Sequence, residues 1–180
     1  MIYTRTPINT ALPVTLADVK DHLRVTHTLE DALITRMIWT AALEFEDQCG
    51  IALLSQTIAA TSAIDPGTDL ELPIGPVATG ATITVEALAE DGTTAPITAY
   101  WLEAGRYAVV HLTDTPDHRV RISYPASLAA SAAAVPADIQ MAIADQVARL
   151  YDQRGGVFDR GPALSAHSAR VIARYRRARL

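Results

Sequence analysis

The stretch Leu29-Glu-Asp-Ala-Leu33-Ile-Thr-Arg-Met37-Ile-Trp-Thr-Ala41-Ala-Leu-Glu-Phe45-Glu-Asp-Gln-Cys49-Gly50 sets its apolar residues at helical steps. Leu29, Leu33, Met37, Ala41 and Phe45 recur every four positions, with Ile34, Ile38 and Ala42 beside them. The spacing predicts a helix over about 29–49 with one broad apolar face, opened by a cap at Thr28-Leu-Glu-Asp31 and stopped by Gly50. Upstream, Thr15-Leu-Ala-Asp18 has a capping-box form, a hydroxyl residue followed by an acid three positions on, and leads into a shorter helix over about 16–25.

Downstream the texture changes. From Ala52 to Tyr124 the chain is rich in Thr, Val and Ile, and strands are expected at 57–61, 70–72, 81–85, 99–102, 107–112 and 119–124. Turn formers punctuate them: Asp65-Pro-Gly67, Pro73, Gly75-Pro76, Asp91-Gly92, Gly105 and Pro116-Asp117. Short strands so closely joined favour an antiparallel sheet or small sandwich over repeated βαβ units. Helix returns after the small-residue stretch 129–135, a loop or helix lead-in. Pro136 suits a helix start, and Ile139, Ile143, Val147, Leu150 and Tyr151 form the next stripe, over about 137–154. Gly155-Gly156 ends it, a loop follows over 155–165, and Ser165 opens a last helical segment over 166–180. The expected class is α+β and mainly helical: an N-terminal helix pair, a central antiparallel β element and C-terminal helices.

At 180 residues, 49% hydrophobic and 19% charged, the chain is long enough for one real core and too short to require a second. Fifteen basic against twenty acidic residues give −5, which argues against a protein that coats nucleic acid. The charge is unevenly spread. Residues 137–180 hold eight Arg and four Asp, a net of +4, and residues 1–136 hold seven basic and sixteen acidic residues, a net of −9. Such asymmetry points to two surfaces with different partners. The lone Cys49 rules out an intramolecular disulfide and a cysteine metal cluster, and a reducing, intracellular origin is the simplest expectation. The start has no basic stretch ahead of an apolar core, and no apolar run nears the roughly 18 residues of a membrane span.

Enzyme signatures are missing. The chain's one lysine, Lys20, has no glycine loop before it, and Gly-x-Ser-x-Gly, His-Glu-x-x-His and Gly-x-Gly-x-x-Gly do not occur. His111, Asp114, Asp117 and His118 fall within eight residues, and a polar turn is the favoured reading over a divalent-metal ligand set, which needs ligands converging from rigid elements. Glu44, Glu46 and Asp47, near the end of the long helix, oppose its dipole; a solvated or intersubunit ion-pairing face suits them better than acid-base catalysis. Trp39 lies off the Leu33/Met37/Ala41 row, which makes it a candidate for contact with a neighbouring subunit. Cys49, without a helix N-terminus or basic neighbours to activate its thiol, reads as a small buried residue. In the last segment Arg170, Arg174 and Arg177 share one helical face and Val171, Ile172 and Tyr175 make an apolar patch beside it. A helix of about 14 residues is marginal alone in water, so this segment is expected to order on docking.

Thr15-Leu-Ala-Asp-Val-Lys-Asp-His-Leu-Arg24, Glu30-Asp-Ala-Leu-Ile34, Ala41-Ala-Leu-Glu-Phe-Glu46 and Gly50-Ile-Ala-Leu-Leu-Ser-Gln-Thr57 resemble the N-terminal half of the phage head-tail connector (adaptor) family, found in tailed phages, prophages and gene transfer agents. Leu72-Pro73, Pro76-Val77, Asp91-Gly92, Val120-x-Ile-x-Tyr124, Val135-Pro136, Ile139, Ala142-Ile143, Leu150-Tyr151, Arg154 and Tyr175-Arg176 follow in the family's order, so the resemblance runs nearly the length of the chain. Where the family often has a Gly-containing turn after Tyr124, this chain has Pro125-Ala-Ser-Leu-Ala-Ala-Ser-Ala-Ala-Ala-Val135.

The resemblance implies a connector body over 1–154 and a non-enzymatic role with no cofactor, no metal and no catalytic residues. It implies a ring, usually of twelve copies, beneath the portal protein, with a stopper or tail-completion protein on the opposite face and DNA passing the lumen without specific binding. Assembly would occur in the host cytoplasm, with the ring ending at the head-tail junction and no membrane involved. Portal docking would fall to Arg170, Val171, Ile172, Arg174, Tyr175, Arg176, Arg177 and Arg179. A channel lined by the −9 body would repel phosphates and let duplex slide. Two rivals are a small metal-dependent hydrolase using the 111–118 region and a DNA-binding packaging factor using the Arg-rich tail.

Overall fold

The computed structural model describes residues 1–63, 69–78, 80–113, 119–153 and 164–176. Where length leads one to expect a single core, the chain divides into two compact units. One comprises residues 1–10 and 54–128 and is built of strands; the other comprises 11–53 and 129–180 and is helical.

The helical unit starts with α1 (Leu16–Leu23), where the Thr15 hydroxyl accepts from the Asp18 N–H, as the capping box requires. Arg24 ends it in the left-handed region at φ 58, so the helix stops short of 25. α2 (Asp31–Cys49) begins two residues later than expected. Thr28 gives only its backbone carbonyl, to the Asp31 N–H, and contributes no side-chain cap. The start is held instead by Lys20 Nζ at 2.6 Å from Asp31 Oδ1 and by the Tyr151 hydroxyl donating to the Glu30 carboxylate. The buried stripe of α2 is Ile34, Ile38, Ala41, Ala42, Phe45 and Cys49, which moves the face away from the Leu29/Leu33/Met37 row; Leu29 precedes the helix and is 92% exposed. Gly50 closes α2 with φ 65, a conformation that favours glycine.

α3 (Ala137–Asp152) follows Pro136 and a short 3-10 turn at Ala132–Ala134, and buries Ile139, Ala142, Ile143 and Val147. α4 (Ala166–Tyr175) is capped by Ser165, whose hydroxyl accepts from the Ser168 N–H at 3.0 Å. Both α1 and α4 pack on α2 and α3.

The β unit holds two antiparallel sheets. In the larger, β1 (Ile2–Pro7), β2 (Gln56–Ser62), β8 (Arg119–Ala126), β4 (Thr84–Leu88) and β5 (Thr94–Pro96) lie side by side in that order. In the smaller, β7 (Val109–Leu112) lies between β3 (Leu70–Glu71) and β6 (Tyr100–Glu103). Alternation decides the faces of the large sheet: Ile58 and Ala60 of β2, Val85 of β4 and Val120, Ile122 and Tyr124 of β8 are buried, while Thr57, Arg119 and Thr84 are exposed. β1 and β5, both edge strands, are additions to the expected set, and β4 lies three residues later than expected. Among the described residues helix holds the larger share and strand a substantial one, so the class is the expected α+β with a somewhat smaller helical excess than expected.

Inside the β unit Tyr124 is buried with its hydroxyl donating to the Ile74 carbonyl at 2.9 Å and accepting from the Ile74 N–H at 3.3 Å. Burial pushes that phenol well above its ordinary pKa. Gly75 is required for a different reason: a Cβ there would lie 1.8 Å from the Arg106 carbonyl oxygen.

Candidate functional site

α4 is the element on which most of the expected docking residues lie. Its sequence puts alanine and arginine on one side and Ser168, Val171 and Ile172 on the other, and the second side is spent inside the helical unit. Val171 and Ile172 are 3% and 6% exposed, and the buried Ser168 hydroxyl donates to the Ala142 carbonyl at 2.7 Å. At the N-terminus the Ser165 N–H reaches Gln146 Oε1 at 2.8 Å, and Gln146 Nε2 donates to Glu44 Oε2 at 3.1 Å, a chain of bonds running from α4 through α3 to α2. At the C-terminal end Tyr175 packs edge-on against Phe45 with ring centroids 6.1 Å apart, and its hydroxyl donates to Asp138 Oδ1 at 3.1 Å. The same carboxylate meets Arg174 Nη1 at 3.4 Å.

The expected apolar patch is therefore an internal one. Val171 and Ile172 are held by their own α2 and α3, which supply the order that a marginal helix was expected to gain on docking. The outer face keeps Arg170 and Arg174, one turn apart and both exposed, followed by exposed Arg176; Tyr175 is half-buried. Arg177 and Arg179 lie outside the described residues. With no acid on α4, the outward face carries positive charge.

The acidic residues expected on one face of α2 separate in the structure. Glu46 is buried, and its Oε1 accepts from the Leu53 N–H at 2.6 Å, fixing the turn that leaves α2. It is an internal brace rather than a subunit contact, because a buried carboxylate needs donors and the backbone after Gly50 supplies one. Glu44 is half-buried on Gln146, whereas Asp47 is exposed. Trp39 is half-buried, one turn before Leu43, which is 50% exposed, so an apolar surface strip runs along this side of α2.

Of the four candidate metal ligands, His111 alone falls among the described residues. His111 Nδ1 lies 2.7 Å from Asp69 Oδ1 and its Nε2 lies 3.2 Å from Glu103 Oε2, so both ring nitrogens are engaged by carboxylates. Asp114, Asp117 and His118 lie outside the described residues. Among the described residues no group of three or more His, Cys, Asp or Glu is arranged to hold a metal. Sequence reasoning did not find the Asp69/Glu103 pairing of His111, nor the stacking of His111 on Trp101 at 3.7 Å between centroids and 11° between planes. The signal was strand register, which sets Trp101 opposite His111. No described helix is long and apolar enough to cross a membrane.

Comparison with known proteins agrees with the resemblance in the sequence. Residues 13–78 match the family of phage gp6-like head-tail connector proteins. No curated protein matches the chain. Among solved structures, a chain from the neck of an empty gene transfer agent particle, computed with C6 symmetry, has a TM-score of 0.81 at 23% identity. A chain from the virion of a native gene transfer agent particle has 0.80 at 24%. A chain from the neck of the native particle, computed with C12 symmetry, has 0.76 at 26%. Each likeness covers 100% of this chain and 97% of the other. Over residues 13–78 the chain carries the pattern of phage gp6-like head-tail connector proteins, and over its whole length its fold resembles these chains of the gene transfer agent particle.

Proposed function

We propose that the chain is a structural head-tail connector that closes into a ring of twelve copies beneath the portal protein, joins capsid to tail and lets DNA pass through its lumen. The observation that carries this reading is the likeness, over the whole of both folds, to neck chains of a gene transfer agent particle, together with the family match across the helix pair. The ring assembles in the host cytoplasm and ends at the head-tail junction, with a stopper or tail-completion protein on its far face. The role is mechanical and calls for neither cofactor nor catalytic group.

Portal docking falls to the exposed Arg170, Arg174 and Arg176, with Arg177 and Arg179 next in the sequence. Val171 and Ile172 act from behind, anchoring α4 so that the arginines are presented on a fixed element. Arginine suits this task because its planar fork binds carboxylates in pairs.

The test is co-sedimentation with portal rings from the same genome. Removing everything after Ala163 would also strip Val171 and Ile172 from the helical core, so the informative variant is Arg170→Glu with Arg174→Glu. Wild type should sediment with the rings and the folded double variant should lose at least about tenfold in affinity, about 1.4 kcal/mol. Equal binding by the variant would overturn the docking face, and absence of binding by wild type would overturn the connector reading itself.

A further inference from the structure

The small sheet of the β unit carries a cluster that the connector role does not use. Its central strand β7 places His111 between two neighbours: Trp101 of β6 pairs with it directly, and continuing the Leu70–Val110 pairing by one residue sets Asp69 opposite it on the other flank. Glu103, two residues along β6 from Trp101, reaches back to the ring's second nitrogen.

We propose that Asp69, His111 and Glu103 form a proton-operated clamp across this three-stranded sheet, one that fixes the exposed Trp101 when the imidazole is charged and frees it when the imidazole is neutral. The argument is one of hydrogen-bond inventory. Both ring nitrogens face carboxylate oxygens, at 2.7 and 3.2 Å. An imidazolium has two N–H donors and satisfies both; a neutral ring has one, so its bare nitrogen would face a carboxylate lone pair. The stacked indole adds to the preference, because a cation over an aromatic face is attracted and a neutral ring is held less strongly. Trp101 is 52% exposed, so its indole has room to move once the stacking weakens.

The charges acting on His111 come from both flanks. Asp69, just before β3, and Glu103 of β6 face it, and Glu71 lies on the same face one register row along, opposite Val109. β7 itself contributes no other titratable group. Partial removal from water lowers the imidazole pKa, but the hydrogen bonds and charges of Asp69 and Glu103 outweigh it and leave the value above the ordinary one. A group whose pKa is raised on folding stabilises the fold fully below its unfolded value, and loses that contribution as pH climbs through the folded value. The clamp is thus closed in mild acid and opens as the medium turns alkaline.

The test follows the His111 ring protons and the Trp101 indole N–H by NMR in the full-length chain from about pH 5 to 9. The proposal expects a His111 midpoint above about 6.5, the value for a free imidazole. It also expects the Trp101 resonance to move with the same midpoint. Asp69→Asn and Glu103→Gln should each shift that midpoint down, and His111→Phe, which keeps a ring for stacking, should remove the pH dependence at Trp101. A His111 midpoint at or below the free value, or a Trp101 signal that stays flat through it, would overturn the clamp, and both are read on the unaltered protein.

Discussion

Tyr124 shows how a single side chain can close a β unit. Its hydroxyl satisfies both backbone groups of Ile74, fifty residues away in sequence, from a position almost without solvent. Tyr124→Phe leaves a buried N–H and C=O without that partner and should lower stability by about 1–3 kcal/mol in denaturant unfolding, with little change in the far-UV spectrum. Glu46 does comparable work in the helical unit, where its carboxylate takes the Leu53 N–H. Glu46→Ala should cost a similar amount, about 1–3 kcal/mol. Asp47→Ala, one residue on and exposed, should stay within about 0.5 kcal/mol. Neither role was legible in the sequence. An acidic residue near a helix end reads as surface because most are, and the partner of Glu46 is a backbone amide, which every residue type supplies alike. His111 is a mixed case: its chemistry was visible and its partners were not, since Asp69 and Glu103 come from flanking strands whose register a single sequence does not fix.

The helices were the most legible elements, because each combines a 3.6-residue period with a recognisable stop or start. Thr15, Gly50 and Ser165 all serve as the sequence indicated. Thr28 does not, since tertiary contacts through Lys20 and Tyr151 set the start of α2 in its place. Edge strands were the least legible. β1 is exposed on nearly every residue, so no alternation marks it, and β5 is three exposed residues ending in Pro96. α4 was found as an element and misjudged in its surroundings: amphipathicity shows that an apolar side must be covered and is silent on whether the cover is a partner or the chain's own α2 and α3. Val171→Asp places a charge in that covered side and should destabilise the helical unit by about 3 kcal/mol or more, checked by thermal unfolding. Arg170→Ala, on the solvent side of the same helix, should leave the melting temperature nearly unchanged.

At the scale of the whole molecule the two compact units do not follow the chain's uneven charge, because the seven acidic and three basic residues of 11–53 balance the net +4 of 129–180 within the helical unit. The Arg-rich segment belongs to the helical unit and is anchored there by buried Val171, Ile172 and Ser168, so its positive face is presented by a folded element. A contact built on that face should weaken as salt rises, because solvent-exposed charges are screened over about 8–10 Å at ordinary ionic strength. Portal binding measured at 50 and 500 mM salt should therefore fall for wild type and change little for the Arg170→Glu, Arg174→Glu variant. What the sequence conveyed best at this scale was a resemblance: short motifs in family order across nearly the whole chain, each weak alone, agree with a fold likeness that covers the whole chain. The division into units was less legible, since the β unit is completed by residues 1–10, which are distant in sequence from the rest of it. The most direct test of the connector account is the mass of the complex formed when the full-length chain is added in excess to purified portal rings. The account predicts a single discrete species with twelve added copies per ring; scattered sub-stoichiometric binding, or no complex, would contradict it.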